Sequence, residues 1–198
     1  GGGRFHEPVR QMECKSQFCT LECQEQCSEG SLARNQEQEP LLVEDKDRLL
    51  LFPVTHQDIF DMYTKAKRSF WIPAEIDFGG DKKDFQDFSP KEQSFLLHIL
   101  SFFAVSDGLV IENLAENFCS EVQLSEARAF YAFQAAIETI HSEVYSLLLT
   151  TFCHNKEQCD HLFKGYEHIP GIAGKCAFAK KWMNKEKSFG ERLVAFAC

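Results

Sequence analysis

Glu138 and His141 stand three residues apart in the stretch IETIHSEVY, and Tyr145 follows one helical turn after the histidine. At about 100° per residue, these three side chains share one side of a helix. The same side carries Ala127, Phe130, Tyr131, Gln134, Leu148, Leu149 and Phe152. Ser125, Arg128, Thr139, Glu143, Ser146 and Thr150 fall on the opposite side, which is expected to face solvent. A carboxylate is therefore expected among apolar neighbours. The preceding stretch repeats the pattern. Its apolar stripe reads Leu96, Leu100, Phe103, Asp107, Val110, Ile111, Leu114 and Phe118, with Asp107 alone in the middle. Its polar face reads Ser94, His98, Ser101, Glu112 and Glu116.

An unpaired carboxylate in such a place is costly. It can stay protonated, pair with a cation, or bind a metal. No Lys or Arg shares either stripe, although a distant helix could supply one. A hard cation with oxygen and imidazole ligands suits Asp107, Glu138 and His141 together. Glu-x-x-His, at i and i+3, is also the spacing found where facing helices of a bundle hold two metal ions. A single such motif is weak, because a short pattern arises often by chance. An acid centred on each of two neighbouring apolar seams, one with a histidine three residues on, is a more specific pattern, and it favours a metal. Tyr145 lies where its ring approaches whatever those side chains hold. It is either a core tyrosine with a satisfied hydroxyl or a redox-active phenol. His98, His154, His161 and His168 lack inward acidic company and are read as surface or loop histidines.

Long helices must position these residues. Ser89, Pro90 and Glu92 form a capping box with proline at the first helical position. The helical pattern then runs to about Phe118, interrupted at Gly108. A second long helix is predicted from about Ser125 to Phe152. An earlier one is predicted over the stretch THQDIFDMYTKAKRSFW, with Thr55 as N-cap and Asp58 three residues later. After Phe152 the pattern predicts a short helix ending near Pro170, then helical pieces in IAGKCAFAKKWMN and SFGERLVAFAC. No segment alternates with period two, so the class is all-α.

Composition narrows the function. The 198 residues include 19 Phe, and 44% are apolar, so a sizeable core is expected. The net charge of −9 with scattered basic residues argues against a nucleic-acid partner. No unbroken apolar run has the roughly 18 residues of a membrane span, and no secretion signal is seen. The nine cysteines are therefore read as free thiols in a cytoplasmic, reducing setting. Residues 1–48 are rich in Gln, Glu, Ser and Gly and are expected to form a disordered tail. Cys14, Cys19, Cys23 and Cys27 cluster there without the paired C-x-x-C spacing typical of zinc sites. Residues 49–198 form the expected folded domain.

Four stretches carry a family resemblance: SFWIPAEIDF (69–78), HILSFFAVSDGLVIENL (98–114), EARAFYAFQAAIETIHSEVYSLL (126–148) and FGERLVAFA (189–197). In order and spacing they resemble the small, radical-generating subunit of class I ribonucleotide reductase, in its eukaryotic and viral branch, over about residues 39–198. The resemblance implies a ferritin-like bundle of long antiparallel helices. It implies that Asp107, Glu138 and His141 are ligands of a dinuclear iron centre and that Tyr145 carries the stable radical. Trp71 would lie on the electron-transfer path to the large subunit; without the resemblance it reads as a packing residue at a helix end, as Trp182 does. The implied activity is the reduction of ribonucleotides to deoxyribonucleotides, by a homodimer of small subunits working with the large subunit.

The chain also departs from the family. Six metal ligands are needed and three are found; residues 1–198 contain one Glu-x-x-His. The sequence reading therefore expects the N-terminal portion of a small subunit, a truncated bundle inactive by itself. Two other readings remain: a ferritin-like protein that handles iron and oxygen, and a non-catalytic partner of a full-length subunit.

Overall fold

Apolar residues at helical spacing, punctuated by caps and prolines, set the elements of this chain. The computed structural model describes residues 39–198, and among them there are helices and no strand. Eight helices are labelled here in chain order: α1 (Gln57–Arg68), α2 (Asp81–Asp87), α3 (Pro90–Asn113), α4 (Ser125–Phe152), α5 (Lys156–Phe163), α6 (Gly165–His168), α7 (Pro170–Met183) and α8 (Phe189–Ala197). A π-helical turn, Leu114–Phe118, and a short helical turn, Cys119–Glu121, prolong α3.

The start of α3 is as expected. Ser89 accepts from the backbone N–H of Glu92, and the Glu92 carboxylate accepts from the Ser89 backbone at 2.8 Å. Helix α8 opens on a second such box, Ser188 with Glu191. Helix α4 has the predicted limits. Gly108 does not break α3; the irregularity comes later, at the π turn, where the Asn117 side-chain amide donates to Asn113 Oδ1 at 2.7 Å and to the Met183 carbonyl at 3.0 Å. The expected helix ending near Pro170 is two helices, and Pro170 instead opens α7, where its missing N–H costs nothing.

Helix α1 differs from expectation at its start. Its N-cap is His56, which makes no side-chain cap. The Asp58 carboxylate accepts from the next backbone N–H, at Ile59, instead of capping the helix. The backbone leading into α1 is instead held from α4: Glu126 Oε1 accepts from the backbone N–H of Thr55 at 2.6 Å and of His56 at 3.0 Å, and from the Thr55 hydroxyl at 3.1 Å.

Helices α3 and α4, joined through the short turn at Cys119–Glu121 and three further residues, pack antiparallel along their length. By length and composition Pro90–Glu121 could cross a membrane. In the structure, α4, α5, α6 and α7 all pack against it. Two apolar clusters form along the α3–α4 pair. One holds Leu114, Phe118, Val122, Ala127 and Phe189; the other holds Phe85, Leu97, Leu149 and Leu162. Asp107 lies between Leu97 and Leu114 on α3, and Glu138 lies between Ala127 and Leu149 on α4. An antiparallel pair thus brings the two acids to one level, with an apolar cluster above and below.

Two residues depart from the expected faces of α3. Ser101, expected on the polar face, is fully buried, and its hydroxyl donates to the Leu162 carbonyl. Helices α5 and α6 cover that side. A Cβ at Gly165 would come within 2.7 Å of Ser101 Oγ, so glycine is what allows this close approach. Phe103, expected in the seam, is 39% exposed. The expected tail, 1–48, lies mostly outside the described residues, as do Cys14, Cys19, Cys23 and Cys27. Its last residues are described from Glu39 on, and there Leu41 and Leu42 pack against the first cluster.

Candidate metal centre

Asp107, Glu138 and His141 converge. One donor atom from each lies within 4.8 Å of the others, near the roughly 4.2 Å that separates opposite ligands of an ion with bonds of about 2.1 Å. Asp107 is buried and Glu138 and His141 are half-buried. His141 Nδ1 donates to Glu138 Oε2 at 3.1 Å, which orients both groups. Burial, and next the Glu138 charge, push the Asp107 carboxyl up to about 6; His141 opposes the shift, as does a hydrogen bond from Ser106.

The decisive observation is Asp107 Oδ2. It is buried and has no hydrogen-bond partner. Buried polar atoms are nearly always paired, so an orphaned carboxylate oxygen beside a second carboxylate and an imidazole marks a place for a cation. No Lys or Arg fills that place among the described residues: the contact within the group is the hydrogen bond between Glu138 and His141. The set of two carboxylates and one imidazole fits iron or manganese by donor chemistry.

Two aromatic residues flank the group. The Trp71 ring lies 5.7 Å from that of His141, inclined by 31°. Tyr145 lies 6.5 Å from His141, centre to centre. Burial, then the charges of Asp107 and Glu138, raise the Tyr145 phenol above its ordinary range, so the ring stays protonated at neutral pH. Phe103 stacks on Tyr145 at 5.3 Å and 22°. All five residues singled out in the sequence are therefore within one neighbourhood. Phe103 was not among them, although its position one turn before Asp107 held the signal. The contact between Trp71 and His141 had no local signal, since seventy residues separate them. Trp182 is half-buried and packs beside Phe178, away from this group.

Residues 48–198 match the family model described as ribonucleotide reductase, small chain. The chain is 49% identical over 162 residues to a ribonucleoside-diphosphate reductase small chain of Arabidopsis thaliana, covering 81% of this chain and 49% of that protein. It is 48% identical over 159 residues to the small chain of Variola virus, covering 80% of this chain and 50% of that protein. The chain thus spans about half the length of the curated relatives it matches. Among solved structures, the ribonucleotide reductase Rnr4 homodimer from Saccharomyces cerevisiae matches with a TM-score of 0.75 at 34% identity, over 88% of this chain and 55% of that one. The ribonucleotide reductase R2 subunit from Clostridium botulinum matches in fold, with a TM-score of 0.62 at 23% identity, over 71% of this chain and 45% of that one.

Proposed function

The chain belongs to the ribonucleotide reductase small-chain family, in its eukaryotic and viral-like branch, and from that premise we propose that it forms the radical-bearing half of a class I small subunit. The orphaned Oδ2 of Asp107, beside Glu138 and His141, carries this reading. Asp107, Glu138 and His141 would hold iron of a dinuclear centre and supply three of its ligands. When bound, that centre supplies the oxidising equivalent that can remove an electron from a phenol.

The chain's own residues do the rest. Tyr145 carries the oxidised phenol; its proton must leave with the electron, and the carboxylates whose charges act on the phenol, Asp107 on α3 and Glu138 on α4, are the acceptors proposed for it. Phe103, stacked on the ring, limits the approach of water and reductants. Trp71, against His141, offers an aromatic relay from the ligand set toward a partner. The radical equivalent would pass from this relay to the large subunit, where ribonucleotides are reduced. Two small chains would pair as a homodimer, as in the yeast structure. The setting proposed is the cytoplasm.

Replacing Tyr145 with Phe in the holoenzyme tests the reading. Ribonucleotide reduction should fall by at least a hundredfold while iron content stays the same. Retained reduction would contradict it, and an equal loss of iron would make Tyr145 a structural residue. A ferritin-like iron-handling role needs neither Tyr145 nor Trp71, so unchanged iron oxidation with no reductase activity in the wild type would favour that role instead.

A further inference from the structure

At the junction of α5 and α6, His161 and His168 bring their Nε2 atoms to 3.1 Å of each other. Both side chains are exposed. Their ring centres are 4.0 Å apart and inclined by 42°. An in-line N–H···N bond of that length would hold the centres more than about 5 Å apart, because the donor angle opens beyond about 150°. The nitrogens therefore sit side by side. Imidazoles on adjacent corners of a tetragonal ion have donor atoms about 3.0 Å apart and ring centres about 4.5 Å apart, close to this arrangement.

Further features point the same way. His161 lies in the last turn of α5 and His168 ends the four-residue α6, so the short connection at Lys164 brings the two rings together. His161, though not His168, lines a cavity of about 220 Å³ together with His98 and His154. His98 Nδ1 lies 2.6 Å from the Ser94 carbonyl, which can only accept. Nδ1 therefore donates there, and Nε2 is the ring nitrogen left for a ligand, as second-sphere hydrogen bonds arrange in metal-ligating histidines. His98 precedes Asp107 by nine residues on α3, about 14 Å along the helix, so this place is separate from the carboxylate group.

We propose that His161 and His168 chelate a divalent late transition-metal ion of the nickel or copper type, at a second site independent of the carboxylate centre. Neutral imidazole suits these ions, and the close pair supplies two donors without strain on the backbone.

Calorimetric titration of the metal-free full chain with Ni²⁺ tests this, using His161→Ala, His168→Ala and Asp107→Asn variants. Both histidines are exposed, so the fold should survive, which thermal unfolding checks. Either histidine substitution should remove one equivalent of bound nickel or weaken it at least tenfold, and Asp107→Asn should leave that equivalent in place. The proposal is overturned if nickel binding is unchanged in both histidine variants, if only one of the two matters, or if the same equivalent is lost with Asp107→Asn.

Discussion

Asp107 shows how one side chain can report a function. A lone acid on an apolar seam is legible in the sequence, because helical spacing alone places it among Leu100, Phe103 and Val110. Its partners on α4 were legible for the same reason. What the sequence could not give was the contact between Trp71 and His141, since no periodicity relates a loop to a helix seventy residues away. That contact has an optical consequence. The chain has two tryptophans, Trp71 and Trp182. In a Trp182→Phe variant, emission comes from Trp71 alone, and loading with Co²⁺ should quench it by more than half, because the ring lies 5.7 Å from a ligand. Adding His141→Ala should abolish most of the quenching. Emission indifferent to Co²⁺ in the Trp182→Phe variant would place Trp71 outside the centre's reach.

Capping decided how well each helix was legible. Ser89 and Glu92 lie three residues apart, so the start of α3 is written locally. The start of α1 is written elsewhere, on α4, through Glu126. Burial alone would raise the Glu126 carboxyl. Hydrogen bonds from the His56 and Thr55 backbones and the Thr55 hydroxyl outweigh that and hold it at about 2. Because the folded value lies below the ordinary 4.5, the stabilisation is full above pH 4.5 and is lost as pH falls through about 2. A depression of this size corresponds to about 3 kcal/mol. Glu126→Gln should therefore lower unfolding stability at pH 7 by about 2–3 kcal/mol, and the variant should lose less further stability than the wild type between pH 4.5 and 2. Urea unfolding at several pH values measures both; equal stability at pH 7 would show these hydrogen bonds to be dispensable. The π turn at Leu114–Phe118 was also invisible beforehand, because its side-chain brace reaches Met183 at the end of α7.

For the whole molecule, the all-α class followed from long amphipathic segments and the absence of period-two alternation, whereas the ferritin-like helical fold was implied only by the family resemblance. The covering of α3 by α5 and α6 did not, since it depends on the missing side chain of Gly165. Large apolar side chains remain exposed on several helices: Phe95 at 64%, Leu147 at 45%, Phe178 at 51% and Val194 at 66%. Surfaces of this kind promote association. The chain should therefore sediment above monomer mass at micromolar concentration, and Leu147→Glu, on α4, should shift it toward monomer; a wild-type chain that stays monomeric would contradict this. The convergence of Asp107, Glu138 and His141 on a cation remains the point on which the functional reading depends. Anaerobic equilibrium dialysis against Fe²⁺ measures it directly, comparing the wild-type chain with an Asp107→Asn, Glu138→Gln double variant. At least a tenfold loss of iron affinity in the folded double variant is expected; equal binding by the two chains would contradict it.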